Sequence, residues 1–463
     1  MKKKYMSILL TAALAVGALT GCGANDSKQK DSDTKKADSN NDGEGKVINI
    51  YSWNDEFYKR VLAVYPEVKE TSKDGSVTTL KDGTEIHWII NPNQDGVYQQ
   101  KLDEALLNQA DAAADDKVDI FLSETDYVYK YTDAAIPLKD LGIDPEKDLA
   151  DQYSFTKVTA SDEYGVQRGS TWQCCPGLLV YRRDIAKKVF GTDDPTEIGE
   201  KVKDWNVMEE TAKELKAKGY YTFASYADTF RLYGNSIDEP WVKAGDTVIK
   251  IDQKIMEWVD NSKKWLDAGY LNKTVKGQWN NDWNQAMGSK SKVFAFLFPA
   301  WGIDFTLKPN WDGDNGAWAV TNPPQEYNWG GSYVHACTGT DNPQHVKDII
   351  LAVTANKDNL LKISKDYLDY TNTQSGMKEA AKDNKTYASE FLGGQNSFEY
   401  FAPVAENIKI APLSAYDQGC VELIQNSFTD YFQGKVAFDK AKTNFETAIR
   451  ERYPEITEIQ WPK

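Results

Sequence analysis

Residues 47–51 read VINIY, residues 85–90 read EIHWII and residues 118–122 read VDIFL, and these three runs decide the fold. Each is rich in β-formers and bounded by polar loops, so each reads as a strand. Between them the periodicity changes. After Asp55, the positions Phe57, Val61 and Val64 recur at helical spacing. In KLDEALLNQADAA, residues 101–113, Leu102, Leu106 and Ala113 share one helical face. A strand–helix–strand–helix–strand order calls for a parallel sheet with helices around it, an α/β fold. In such sheets ligands bind beyond the carboxyl ends of the strands. Those loops are Ser52–Asp55 and Ser123–Asp126, both polar and both carrying carboxylates.

Further along, YGVQRGSTWQCCPGLLVYRR (164–183) reads as two strands around an irregular polar centre. DIAKKVFG is a short helix ended by Gly191. Trp205 opens a helix through Met208, Ala212 and Leu215 that stops at Gly219. FAFLF, 294–298, is a buried strand that runs into Pro299-Ala300-Trp301-Gly302. Near the C-terminus, Val421, Ile424, Phe428 and Tyr431 share one helical face, and Phe438, Ala441, Phe445 and Ala448 share another. No internal repeat is visible.

The N-terminus is an address. Lys2, Lys3 and Lys4 precede MSILLTAALAVGALT, residues 6–20. That run is shorter than the roughly 20 residues of a spanning helix, so residues 1–21 read as a removable signal peptide. Leu19-Thr20-Gly21-Cys22 resembles a bacterial lipobox, which implies lipidation of Cys22. The alternative is ordinary cleavage at small residues, with Cys22 incidental. Residues 22–45 have no large apolar residue after Cys22 and read as a flexible tether. The remaining body of about 420 residues is too large for one core and calls for more than one lobe.

The chain carries −16, or −19 once the three signal lysines are removed. Such acidity disfavours nucleic acid and anionic lipid. Cys174, Cys175, Cys337 and Cys420 show no metal-site spacing. Cys174 and Cys175 are adjacent, and neighbouring Cα atoms about 3.8 Å apart fall short of the usual disulfide range. Two free buried thiols are expected there. His87, His335 and His345 are scattered, and no phosphate-cradling loop, zinc motif or nucleophile elbow is present. No cofactor or metal is expected. The 14 Trp and 25 Tyr point elsewhere. Trp53, Trp172, Trp279, Trp283, Trp301, Trp311 and Trp329 sit among amides, carboxylates and glycines. Flat rings in polar surroundings suit a ligand with apolar faces and hydroxyl edges, as sugars have.

The landmarks VINIYSWNDEF, VDIFLSETDYVYKYTDAAIPLKDL, YGVQRGSTWQCCPGLLVYRRDIAKKVFG, KSKVFAFLFPAWG, AWAVTNPPQEYNWGGSYVHACTG and IAPLSAYDQ follow in that order. Together they resemble extracellular solute-binding proteins of carbohydrate ABC transporters, the maltose-binding-protein-like family 1, over residues 46–455. The resemblance implies a periplasmic-binding-protein-like fold of two α/β lobes closing on a sugar, with no catalysis. It implies crossings near residues 160, 322 and 370. Lobe 1 would then be 46–160 plus 323–370, and lobe 2 would be 161–322 plus 371–463. It implies a carbohydrate ligand, permease subunits as partners and a monomer, while Cys22 implies membrane contact through the N-terminal lipid only, on a Gram-positive-type surface. One departure is Gln167, where the family has Pro after Tyr-Gly-Val.

Candidate site residues come partly from the resemblance and partly from their own chemistry and place after the strands. Trp301, in Pro-Ala-Trp-Gly, stands where the family stacks a ring on a pyranose, with Gly302 leaving room beside it; the alternative is an interlobe core Trp. Trp53, Asn54 and Asp55 leave the first strand, and Asp55 serves either a hydroxyl or a helix N-cap. Glu124 and Asp126 follow the third strand and suit charge-assisted bonds to hydroxyls. Trp172 and Gln173 suit a stacking-plus-amide role, against a Trp packed under a loop. Trp329, Gly330 and Gly331 match a Gly-Gly that lets backbone approach the ligand. Tyr416 and Asp417 match the segment ahead of the last helices. Asp228 and Arg231 are further candidates, with a mutual ion pair as the plain reading.

Two other functions fit parts of the pattern. Tyr51-Ser-Trp-Asn-Asp55 also resembles polyamine-binding relatives of the same fold, since aromatic boxes with carboxylates hold ammonium groups. A secreted glycoside hydrolase would also use Trp and paired carboxylates.

Overall fold

The computed structural model describes residues 45–463. The signal stretch, Cys22 and the tether up to residue 44 lie outside the described residues. The strands are β1 (Val47–Ser52), β2 (Val68–Thr71), β3 (Val77–Leu80), β4 (Glu85–Ile90), β5 (Val118–Glu124) and β6 (Ser170–Thr171). They continue with β7 (Leu178–Arg182), β8 (Val248–Lys250), β9 (Ala295–Phe298), β10 (Trp318–Thr321), β11 (Ser332–Ala336) and β12 (Glu458–Gln460).

Seven strands form one mixed sheet in the order β2-β3-β4-β1-β5-β11-β6. β1 runs parallel to β4 and to β5, while β11 runs antiparallel to β5. β5 is buried from Val118 to Ser123, as a strand covered on both faces must be. The helix Glu56–Val64 turns Phe57, Val61 and Val64 inward. The hairpin β2–β3 is absent from the sequence reading, because KETSKDGSVTT is too polar to show a buried face; Gly75, at φ +76°, makes its turn. A second, antiparallel sheet runs β10-β7-β9, and β12 pairs with β8.

Two cores result. The first packs Ile48, Ile50, Phe57, Ile120, Leu122 and Val334 around the seven-stranded sheet. The second is larger and aromatic, with Trp258, Trp265, Phe296, Phe298, Trp318 and Phe428. Tyr153 and Phe155 already pack in the second core; after them the chain passes from first to second between Trp172 and Cys174, returns across Gly330 and Gly331, and passes again between Asp369 and Tyr370. The first passage lies beyond residue 160 because Ser170 and Thr171 pair with β11 at the edge of the large sheet. The second lies beyond residue 322 because Tyr327 and Trp329 still pack in the second core. The three passages lie side by side. Cys174 N–H donates to the Tyr370 carbonyl (2.9 Å) and Asn372 N–H to that of Trp172 (2.8 Å). On the other edge, Gly177 N–H donates to Tyr327 (2.9 Å) and Trp329 N–H to Cys175 (3.0 Å).

Cys174, Cys175, Cys337 and Cys420 are free and buried. Among the described residues no helix is long and apolar enough to cross a membrane.

Candidate functional site

The ends of β1 and β5 meet the second core at an interface lined by rings and carboxyl groups. Its floor is the Gly330-Gly331 passage. Gly330 has φ +81°, and a Cβ there would come within 3.2 Å of Trp301 Nε1. The Thr125 hydroxyl, from the turn after β5, donates to the Gly330 carbonyl at 2.7 Å. The acidic turn Glu124–Asp126 and the Trp301 ring are therefore neighbours across two residues of backbone.

Trp301 follows β9 and opens a π-helical turn, Gly302–Leu307, a form common at functional sites. Its ring is half-buried, and Nε1 donates to the Trp329 carbonyl at 3.0 Å. Gly302 makes room for Phe298, which a Cβ would strike at 2.6 Å, rather than for a ligand beside the ring. Trp329 is only 6 % exposed and lies stacked on Phe298, so it supports Trp301 edge-on from below. The outer ring is Trp279, 59 % exposed and 15° from parallel with Trp301 at 6.2 Å between centroids. Trp279 holds φ +60°, a conformation that bulky residues avoid. Sequence reasoning noted Trp279 as a polar-context Trp and did not place it here. The only local signal is Asn280, which caps the next helix and fixes where the chain turns.

Asp228 holds this wall in place. It accepts from Trp283 Nε1 (2.8 Å), Gln278 Nε2 (2.9 Å) and Ser225 N–H (2.8 Å), and burial pushes its carboxyl up to about 6. Its oxygens are occupied, so it positions the segment bearing Trp279. It does not pair with Arg231. That guanidinium reaches across the interface and grips Asp126 with two bonds, 3.0 and 2.6 Å.

Around Arg231 gather Glu124, Asp126 and Asp417. Glu124 caps its own turn by accepting from Asp126 N–H (2.8 Å). Burial, with the Asp126 charge second, pushes Glu124 up to about 8. Asp417 begins the helix Asp417–Phe432, which packs on the Thr125–Tyr127 turn. Burial raises its carboxyl well above the carboxylate range. Nearer the passages, Glu56 is pushed up to about 7 by burial and by Asp369. Asp304, on the π-turn, is pushed up to about 6 by burial.

Other nominated residues lie elsewhere or are occupied. Trp53 is half-buried edge-on to Tyr98 at 5.4 Å. Asn54 Oδ1 accepts from Glu56 N–H (3.0 Å), leaving Asp55 exposed and paired with Lys59 (2.7 Å). Trp172 is fully buried against Phe57 and donates Nε1 to Asp369 (3.2 Å), so in this conformation it is a core residue without a face to offer. Gln173 spends its amide on Glu56 (2.9 Å) and on Ser332 N–H (3.0 Å). Tyr416 is buried against Tyr453 and donates to Glu455 (3.1 Å), facing the C-terminal segment.

No reactive pair is open to a substrate here. Ser123 and His335 meet at 2.7 Å, but both are sealed in the sheet, and burial lowers His335 to about 4. Among the described residues no group of His, Cys, Asp and Glu is arranged to hold a metal ion. The arrangement offers apolar ring faces beside hydrogen-bond acceptors, which is a binding chemistry.

A family model described as bacterial extracellular solute-binding protein matches residues 91–390. No curated protein matches. Among solved structures, a family 1 extracellular solute-binding protein superposes with a TM-score of 0.70 at 18 % identity, over 89 % of this chain and 100 % of that one. An ABC-transporter-associated binding protein of B. animalis subsp. lactis Bl-04, in complex with β-1,6-galactobiose, gives 0.65 at 18 % identity, over 90 % and 100 %. The sugar-binding protein MalE of Xanthomonas citri gives 0.64 at 14 % identity, over 88 % and 98 %. At these identities the likeness shows the fold.

Proposed function

Because the chain belongs to the bacterial extracellular solute-binding proteins, a family of non-enzymatic binders, we propose that it captures a saccharide for an ABC importer. Its fold is the periplasmic-binding-protein-like arrangement of its structural neighbours. One observation carries the saccharide reading. The half-buried Trp301 and the exposed Trp279 present near-parallel rings beside the carboxyl-rich turn Glu124–Asp126. Rings gain apolar contact with a pyranose face at low entropy cost, and carboxyl oxygens accept from its hydroxyls.

In this reading the first core is one lobe and the second core the other. Ligand drives hinge closure about the three passages, and the closed form is what the permease engages. The lipid on Cys22 and the tether of residues 22–45 would keep the binder at the outer face of the membrane. The β-1,6-galactobiose bound by one structural neighbour, and the sugar-binding character of another, support the same class of solute.

The test is a tryptophan-fluorescence titration of the mature protein against a panel of di- and oligosaccharides. A saturable change with one class is expected, and Trp301→Ala should weaken that binding about 30-fold, a loss of about 2 kcal/mol. A panel that produces neither a fluorescence change nor a thermal shift overturns the proposal.

A further inference from the structure

We infer, building on the saccharide reading, that the solute carries a protonated amine, seated among Glu124, Asp126 and Asp417 while its sugar ring lies on Trp301. Three carboxyl groups meet one guanidinium at that corner. Arg231 is the cation facing all three carboxyl groups, and both of its terminal nitrogens are engaged by Asp126. Among the described residues, Glu124 accepts from N–H groups of its own turn.

Asp417 supplies an independent observation. It is 91 % buried, counted from its 9 % exposure, and lies within electrostatic reach of Asp126 and Arg231. Its Oδ2 accepts from Ser414 N–H (2.9 Å), yet its buried Oδ1 has no hydrogen-bond partner. Orphaned buried acceptors are costly and rare in folded proteins. A donor arriving from a ligand would fill this one.

The chemistry of that donor follows from the surroundings. An anionic sugar would add charge to an acidic corner. A hydroxyl brings one donor and no charge, whereas an ammonium brings three donors and a positive charge that can take the place of the carboxyl protons. Without ligand the surplus is held by protons, since burial raises both Glu124 and Asp417. Entry of an ammonium group would release them. Glu124 and Asp126 come from the first core and Asp417 and Arg231 from the second, so the amine would also bridge the two bodies.

The experiment is isothermal titration of the mature protein with matched disaccharides of several linkages, each as the glucosamine, glucose and glucuronate form. The amine form is expected to bind at least tenfold more tightly than its neutral counterpart, and the glucuronate more weakly than either. Asp417→Asn and, as a second variant, Glu124→Gln should bring the amine preference toward unity, with circular dichroism confirming that each folds. Neutral forms that bind as well as amine forms overturn the inference and leave the saccharide reading standing. Binding of a linear polyamine with no binding of any saccharide overturns the saccharide reading and retains the ammonium seat. No binding by any sugar or polyamine overturns both.

Discussion

Two knots of arginine and carboxylate stand in this molecule, built of the same parts and finished differently. In the first, Arg60 donates Nε (3.0 Å) and Nη2 (2.8 Å) to Asp369, which also receives Trp172 Nε1. Glu56 closes that knot by accepting from Arg60 Nη2 (3.5 Å) and from Gln173 Nε2 (2.9 Å). Arg60 and Asp369 are both buried, with side chains 7 % and 5 % exposed. In the second, Arg231 joins Asp126 across the two cores and leaves a buried oxygen of Asp417 unused. The difference lies in where each knot sits relative to the passages. The first ties the end of the first core to its own helix and can be satisfied once, at folding. The second spans the two cores, and under the proposed hinge closure its partners would be made and unmade with each cycle.

The comparison breaks most visibly on the two arginines. Arg60→Leu strands buried carboxylates that cannot reach water, and a loss of about 3–5 kcal/mol is expected. Arg231→Leu should cost less, because the side chains of Arg231 and Asp126, 18 % and 11 % exposed, lie closer to water than the first pair. Thermal or urea unfolding of both variants checks this, and equal losses would contradict the distinction.

The proton content of the two knots separates them next. Glu56 and Glu124 start from an ordinary value of 4.5 and are raised to about 7 and about 8. A raised carboxyl means that the folded state binds more protons than the unfolded state across the window between the two values. Stability of the ligand-free protein should therefore be greatest near pH 5 and fall as pH rises toward 8. Glu56→Gln should remove the part of the fall that ends near pH 7, and Glu124→Gln the part that reaches pH 8. Melting temperatures from pH 5 to 9 test both, and a melting temperature that climbs through this range would refute the assignment.

The smallest effect lies outside both knots. Trp279→Asn relieves a left-handed backbone that Asn tolerates, and should stabilise the protein by about 1 kcal/mol. The same variant should weaken saccharide binding. A variant that gains stability without losing affinity would remove Trp279 from the site.

Much of the first core was legible in the sequence because its strands are continuous apolar runs with helices between them. β1, β4 and β5 pair as VINIY, EIHWII and VDIFL require. The hairpin β2–β3 was not legible, since its residues are polar on both faces. Side-chain direction was the main loss at the site. Trp172 and Trp301 both follow a strand in polar company, yet one turns into the first core and the other onto the interface. Period and composition do not encode that choice, which is made by a two-residue strand at a sheet edge. Arg231, three residues after Asp228, reads as a local pair, and only the tertiary fold brings it a better-placed carboxylate on another body. Trp279 owes its place to a positive φ, which no sequence pattern announces.

The middle passage, residues 172–177, is hydrogen-bonded along both edges to its neighbours. The three crossings therefore form one ribbon. A ribbon flexes easily about a line across its strands and resists sliding or twisting within its plane. On the proposed hinge closure, a solute's arrival would be reduced to a single angle between the two cores, whatever its shape. A machine touching the outside would need to measure only that angle, so recognition loops could diversify without any change in the signal they send.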